Sequence, residues 1–472
     1  MKAVFIDPSG TVKGLNVGLG YLASVLSKEN VSVNVVDVNN NPLNPIERIK
    51  KEIKDANFVG ISIKSFTLRE SLEIINQISN LIRNKTLICG GSHISLDGVN
   101  FLKQNEIFKI GVVGEAEETI KEIKKYVYED TELNKIKGIV YRKENKVIET
   151  SPREPITELD KLPFPEYEHF DSFEGTIIGY PLITSRGCPY SCIYCSVGRI
   201  IGKKWRARTP KNVIMEVLHA KDKYKIKRFS ILDDNFTLDI SRAKEICQLL
   251  IDNKANLKWS CPNGIRADRL DEELIRLMKE AGCYQVSIGV ESVDDKVFKN
   301  IKKGEELSDI ENAIKLCKKV GLDVCGFFIV GLPFDNKETI KKSVEFVKRL
   351  GIRADWSMFS PYPKTDAWEW VNSHAKILKD WTEGFHFGSN IDTIFETNNF
   401  SRKDRIDAYY YACLNTNSYE QFYDNNKSML SNSTNILKII WKYDKRHFHK
   451  HLLTLFKKFI KYAPSNKITR KV

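Results

Sequence analysis

Over the first 130 residues, short apolar runs alternate with stretches whose apolar residues recur every three or four positions. Residues 3–6, 31–36, 58–63, 86–89 and 110–113 have the length and β-branching of buried strands. Residues 19–26, 45–55, 68–82 and the segment opened by GEAEETI carry the helical period. Repeated βα units of this length predict a parallel, doubly wound sheet, Rossmann-like, over 1–130. Ligands of such sheets sit at the carboxyl ends of the strands. The chain there reads PSGTVKG, KSFT, GGSHIS and GEAEE, small residues that let a bulky ligand approach the backbone.

Residues 131–175 read as a connector. IKGIVYRKENKVIET predicts a hairpin turning at Glu144 and Asn145, and Pro152, Pro155, Pro163 and Pro165 then break regular structure. From 176 to 370 the alternation resumes. Apolar runs at 177–183, 227–232, 257–261, 284–290, 324–330 and 354–360 are separated by helical patterns. Six such units predict a partial (β/α)6 barrel with its chemistry at the carboxyl ends of the strands. From 371 to 472 the pattern loosens into a mainly helical, basic region. Aromatics cluster in IDAYYYACLN and YEQFYDNN, and a basic amphipathic stretch follows, IIWKYDKRHFHKHLLTLFKKFIKYA.

Composition changes this picture little. A length of 472 residues with 42% hydrophobic content accommodates two or three domains with sizeable cores. No apolar h-region follows Met1 and no run is long enough to span a bilayer, so a cytoplasmic protein is expected. Ten Cys, mostly scattered singly, do not read as a disulfide framework. The net charge of +13 is concentrated near the carboxyl terminus and by itself is weak grounds for a nucleic-acid partner.

The candidate chemistry lies in TSRGCPYSCIYCSV, where Cys188, Cys192 and Cys195 are spaced CxxxCxxC after an apolar strand. Three thiolates so close in sequence can hold three irons of a 4Fe-4S cube. With no fourth Cys nearby, one iron is left open to a small molecule. The bland alternatives are a structural zinc site, which wants a fourth ligand close by, and buried unpaired cysteines.

This loop resembles that of the radical S-adenosylmethionine (radical SAM) superfamily. The stretches PSGTVKGLNVGLGYLASVL, DANFVGISIKSFT, GGSHISLDG and VGEAEETI resemble the cobalamin-binding domain that precedes many such cores, and ELDKLPFPEY resembles the linker between the two. The resemblance spans roughly 1–370. It implies a 4Fe-4S cluster on Cys188, Cys192 and Cys195, with S-adenosylmethionine chelating the open iron. It implies S-adenosylmethionine contacts at Tyr194, Asp234, Asn235, Asn263, Arg266, Glu291, Ser292 and Gly331. Cobalamin contacts are expected at Gly14, Leu15, Ser65, Phe66, Thr67, Gly90, Gly91, His93, Gly114 and Glu115. Asp233 reads equally as a site residue and as a cap, Asp268 and Arg269 as surface groups, and Tyr190 as packing or as a residue facing the substrate or the corrin. The Asp-x-His-x-x-Gly motif that brings a histidine to cobalt is absent, which implies a weakly ligated or open lower face.

The activity so implied is methylation of an unactivated carbon in a small-molecule, lipid or natural-product substrate, with electrons from a donor such as flavodoxin or ferredoxin. Cyclisation, rearrangement or carbon–carbon coupling without methyl transfer is the alternative within the family. An RNA-modifying methylthiotransferase would need three more cluster cysteines in the first domain, where only Cys89 stands. A cobalamin sensor or carrier would have no use for the Cys triplet. For the carboxyl-terminal region three readings stand: an aromatic roof over the barrel, a basic helix on an anionic membrane, or a solvated helix.

Overall fold

A computed structural model describes residues 1–10, 13–129, 131–384, 391–423 and 429–462, with backbone alone at 429 and 457–462. The chain divides into two compact units. One comprises Met1–Pro189, Ser196–Phe236 and Ser241–Lys258; the other comprises Tyr190–Cys195, Thr237–Ile240 and Trp259–Val472.

In the first unit, strands β1 (Lys2–Asp7), β2 (Ser32–Asp37), β3 (Phe58–Ser62), β4 (Thr86–Gly90) and β5 (Ile110–Val112) pair in parallel in the order β2-β1-β3-β4-β5. They are near-continuous Val, Ile and Phe runs because helices cover both faces. This order places a topological switch point between β1 and β3. The expected hairpin forms as β6 (Ile139–Lys143) and β7 (Lys146–Glu149), and it extends the same sheet antiparallel beyond β5. The Pro-rich linker runs along the opposite edge. Val35 of β2 donates to the carbonyl of His169 at 2.7 Å and accepts from Asp171 at 3.0 Å.

One helix escaped the sequence pattern. Ser92–Gln104 is helical, kinked at Asp97 (φ −138°), and contains Gly98. Ser, Asp and Gly lower helix propensity. Tertiary packing overrides it here, because a Cβ on Gly98 would sit 3.3 Å from Ile94 and 3.4 Å from Val140.

The six strands of the second region fall where expected: Gly179–Leu182, Arg228–Ile231, Lys258–Ile265, Cys283–Glu291, Asp323–Val330 and Arg353–Met358. Gly179–Leu182 pairs in parallel with Arg228–Ile231, and the last four strands pair in parallel in sequence. Helices between them start at recognisable caps. Thr209 accepts from the Asn212 amide ahead of Pro210, and Asn336 and Thr339 form a reciprocal capping box.

The carboxyl-terminal region is helical over Arg402–Asn415, Met429–Tyr443 and Phe448–Tyr462. Its aromatics pack on one another: Tyr410 stacks on Tyr443 at 4.2 Å and contacts Phe422 at 5.6 Å. Residues 424–428 and 463–472, at the ends of the aromatic and basic stretches, lie outside the described residues.

Candidate active site

At the switch point of the first unit lies a cavity of about 410 Å³. Its floor is formed by β1, β3 and β4 through Phe5, Gly60, Ile61 and Ile88. One wall is the loop and helix after β1, from Asn16 to Leu22. Asn16 caps that helix by accepting from the Leu19 amide, while its Nδ2 donates to Asp7 at 2.7 Å and to Ser62 at 3.2 Å. The opposite wall comes from the ends of the strands Gly179–Leu182 and Arg228–Ile231: Ile183, Ser185, Arg186, Leu232 and Asp234.

Of the residues expected to hold cobalamin, Gly90, Gly91, Gly114 and Glu115 line this cavity. Gly14, Leu15, Ser65, Phe66, Thr67 and His93 lie off its wall. His93 is 2% exposed, meets Phe101 edge-on and shares a 3.3 Å hydrogen bond with Ser65, so it belongs to the domain core. Sequence reasoning missed Asn16, Tyr21 and Lys64, which look like ordinary helix-cap, core and surface residues in the linear chain.

Glu115 has a second duty. Both its carboxylate oxygens accept from Arg206 at 2.9 Å, and Arg186 reaches it at 3.1 Å. Arg186 also bonds Glu117 at 2.5 Å and lies over the Tyr21 ring. This buried ionic cluster ties the strand ends of the first domain to the strand leading into the Cys loop. Arg186 holds the Glu117 carboxyl below its usual range despite burial.

Asp233 and Asp234 have separate roles. Asp233 is buried and accepts from the Thr184 amide and hydroxyl and from the Ser185 hydroxyl, each at 2.6 Å. It anchors the start of the Cys loop. Asp234 accepts from the Gly187 amide at 3.1 Å and is exposed to the cavity. Asn235 donates to Cys188 Sγ at 3.9 Å, while its Oδ1 is buried without a hydrogen-bond partner.

In the second unit, Tyr190–Cys195 is fixed from both sides: Ile193 donates to Ile301 and accepts from Ala367, each at 3.1 Å. Tyr190 lies under the Arg266 guanidinium at 3.4 Å and accepts from Arg269 at 3.2 Å, so it is a packing residue here. Arg266 in turn donates to Asp268 through Nε (2.9 Å) and Nη2 (3.2 Å), to the Lys303 carbonyl and to the Gly304 carbonyl. Four of the five guanidinium protons are thereby spent within the fold. A cofactor carboxylate finds no open fork at Arg266, and Asp268 and Arg269 are parts of this network.

Glu291 ends its strand at φ +65°, a conformation a branched or bulky residue seldom adopts without support. The support is visible. Lys303 Nζ is 3.3 Å from Glu291 and 3.2 Å from Glu305, and it also donates to the Gly289 carbonyl. Glu291 hydrogen-bonds Tyr194, whose hydroxyl is pushed well above its usual pKa by burial, by Glu291 and by the neighbouring Cys192 and Cys195 thiols. Tyr362, whose hydroxyl burial and the Cys195 charge push up to about 12, joins this neighbourhood. Asn263 is exposed beside the strand irregularity between Cys261 and Ile265. Ser292 is buried and accepts from the Asp294 amide at 3.3 Å, as a turn residue does. Gly331 (φ +99°) leaves no room for a side chain, because a Cβ would meet Arg405 Nη1 at 2.2 Å. Arg405, on helix Arg402–Asn415, donates to the Gly331 carbonyl at 2.9 Å and stacks over Phe395 at 4.1 Å. The carboxyl-terminal region therefore buttresses this strand end.

Comparison with known proteins places two family models on the chain. The Radical SAM superfamily model matches residues 182–347, and the B12 binding domain model matches residues 10–124. The chain is a cobalamin-dependent radical SAM enzyme. It is 29% identical over 394 residues to an uncharacterized methyltransferase of Pyrococcus horikoshii, covering 82% of this chain and 84% of the relative. It is 26% identical over 260 residues to an anaerobic magnesium-protoporphyrin IX monomethyl ester cyclase of Synechocystis, covering 53% of this chain and 50% of the relative. The fold is shared with the solved radical SAM methyltransferase TsrM of Kitasatospora setae, which was determined with tryptophan and a SAM analogue. That likeness has a TM-score of 0.75 at 16% identity and covers 98% of this chain and 99% of the other.

The cofactors of this radical SAM enzyme are a 4Fe-4S cluster, S-adenosylmethionine and cobalamin, and its residues fit them. Cys188, Cys192 and Cys195 are the three half-exposed cysteines, whereas the other seven are buried. Burial pushes up the thiols of Cys89, Cys283, Cys317, Cys325 and Cys413, which suits inert core residues. The orphaned Asn235 Oδ1 beside Cys188 is an acceptor suited to an ammonium group. In the cavity, a Cβ on Gly90 would meet nothing nearer than Val112 at 3.8 Å, and one on Gly114 nothing nearer than Ile200 at 3.8 Å. Those glycines face open space of the kind a corrin edge fills. Among the described residues, no three His, Cys, Asp or Glu side chains gather as a single-ion metal site.

Lys303 carries a stability prediction. Lys303→Met leaves Glu291 and Glu305 buried without their shared cation, so unfolding free energy is expected to fall by about 3–5 kcal/mol. Urea denaturation measures it, and an unchanged midpoint would show the clamp to be idle.

Proposed function

We propose that the enzyme transfers a methyl group to an unactivated carbon of a small-molecule substrate. The observation that carries this reading is the shared wall. The cavity at the β1/β3 switch point is closed by Ser185, Arg186, Leu232 and Asp234, which belong to two strand ends of the radical core. When bound, the cluster with S-adenosylmethionine supplies a hydrogen-abstracting radical, and cobalamin supplies the transferable methyl group.

The chain's own residues orient and exclude. Asn235 Oδ1 and the Asp234 carboxylate offer acceptors for the amino group of S-adenosylmethionine. Lys303 holds Glu291, and Glu291 holds Tyr194, beside the second and third cysteines of the loop. The ionic cluster of Glu115, Glu117, Arg186 and Arg206 fixes the cavity wall against the strand Ser185–Arg186 that leads toward Cys188, which matters because misplacing reacting groups by an ångström costs large factors in rate. A small redox protein of the flavodoxin or ferredoxin type is the electron source this reading requires.

The test uses anaerobic enzyme loaded with iron, sulfide and cobalamin, given methyl-deuterated S-adenosylmethionine, a reductant and a small-molecule extract. Deuterated methyl in a new product, with S-adenosylhomocysteine and 5'-deoxyadenosine released in equal amounts, is expected. The likeness to a cyclase keeps a second outcome in view. Deoxyadenosine without S-adenosylhomocysteine would replace methylation by cyclisation or rearrangement.

A further inference from the structure

In the last two helices, Met429–Tyr443 and Phe448–Tyr462, the described side chains, 430–456, divide into a buried set and an exposed one. Ile436, Ile439, Ile440 and His451 are buried. On the opposite side of the first helix, Leu430 is 79% and Trp441 54% exposed. On the second, Leu453 is 62% and Phe456 63% exposed, with Leu452 beside them. The spacings, 430 to 441 as three helical turns and 452, 453 and 456 as one, put each set on a single stripe.

The charge around these stripes has one sign. Residues 430–456, whose side chains are described, hold five Lys and Arg (Lys438, Lys442, Lys445, Arg446 and Lys450) against a single acid, Asp444, in a chain whose net charge is +13. Asp444 is hydrogen-bonded to His447 and His451 at 2.8 Å each. Trp441 is flanked by the Lys445 ammonium at 4.5 Å and by the Phe448 ring at 5.5 Å. Large exposed apolar and aromatic side chains interleaved with unopposed cations are what an interfacial helix presents to lipid, with rings at the headgroup level and ammonium groups at the phosphates.

We propose that this helical pair seats the enzyme on the surface of an anionic lipid bilayer. It lies on the membrane without crossing it, since no helix among the described residues is long and apolar enough to span one. A second copy of the chain would set the same cations against each other. An acidic protein would match the charge, but it gives no reason for the exposed Leu453, Phe456 and Trp441.

Flotation of the full-length enzyme tests this. Vesicles of phosphatidylcholine with phosphatidylglycerol should carry the protein upward, and vesicles of phosphatidylcholine alone should not. Leu453→Glu with Phe456→Glu is expected to weaken flotation on the order of tenfold while the circular dichroism is retained, because apolar burial and charge act together. Lys445→Glu with Lys450→Glu should weaken it similarly and remove its salt sensitivity. No flotation on anionic vesicles overturns the proposal. So does flotation that both the two apolar-to-glutamate and the two lysine-to-glutamate changes leave untouched, which would place the lipid contact elsewhere on the chain.

Discussion

Cys192→Ala is expected to abolish reductive cleavage of S-adenosylmethionine. Two thiolates cannot replace three at a cube that already leaves one iron without a protein ligand. The reason for choosing the middle cysteine is local. Cys192 lies within electrostatic reach of Lys303 and of Tyr194, so it belongs to the chain of contacts that ends at Glu291. Iron and sulfide per chain should drop, and 5'-deoxyadenosine should fall by at least about three orders of magnitude, as loss of an essential reacting group does. Cobalamin uptake should be unaffected, because the cavity wall contains no part of the loop from Tyr190 to Cys195. Cys413→Ala, a change at a wholly buried thiol, is the control and should keep its cluster. Deoxyadenosine formed by Cys192→Ala at the parent rate would remove the basis of the assignment.

What the linear chain revealed, and what it hid, divides by range. Cys188, Cys192 and Cys195 lie in one loop, and the strand ends at Asp234, Glu291 and Gly331 follow apolar runs that announce themselves. These are short-range signals. The caps at Thr209 and Asn336 are short-range as well, each accepting from an amide two or three residues further on. Arg266 was misjudged because its four donations go to Asp268 and to carbonyls at 303 and 304, and only folding brings the last two alongside. Lys303 carries no motif of its own, yet it is buried between two glutamates. His93 is expected from the sequence as a cobalamin contact, and the fold uses it as a core residue bonded to Ser65. A titratable group in a glycine-rich loop is therefore weak grounds for a ligand until its partners are known.

Gly90→Phe should separate the two halves of the chemistry. Gly90 closes β4, pairs in register with Ser62, and accepts from the Ile63 amide at 2.7 Å. Its φ is ordinary, and the nearest atom to an added Cβ is Val112 Cβ at 3.8 Å, so the backbone tolerates a side chain. Phe also favours strand positions. The two neighbouring glycines are poorer choices. A Cβ at Gly60 would strike the Phe5 ring at 2.6 Å, and one at Gly91 would strike the Ile63 carbonyl at 2.6 Å with φ at +105°. The phenyl ring of Gly90→Phe projects into the cavity of about 410 Å³ where the corrin is expected. Cobalamin affinity should fall on the order of a hundredfold, about 3 kcal/mol, because an overpacked site must be displaced before the ring can enter. The melting temperature without cobalamin should stay within a few degrees of the parent. The cluster and deoxyadenosine release should persist, and the deuterated methyl should vanish from product. A Gly90→Phe enzyme that binds cobalamin as the parent does would place the corrin outside this cavity, and with it would go the argument that Ser185 and Asp234 wall the corrin.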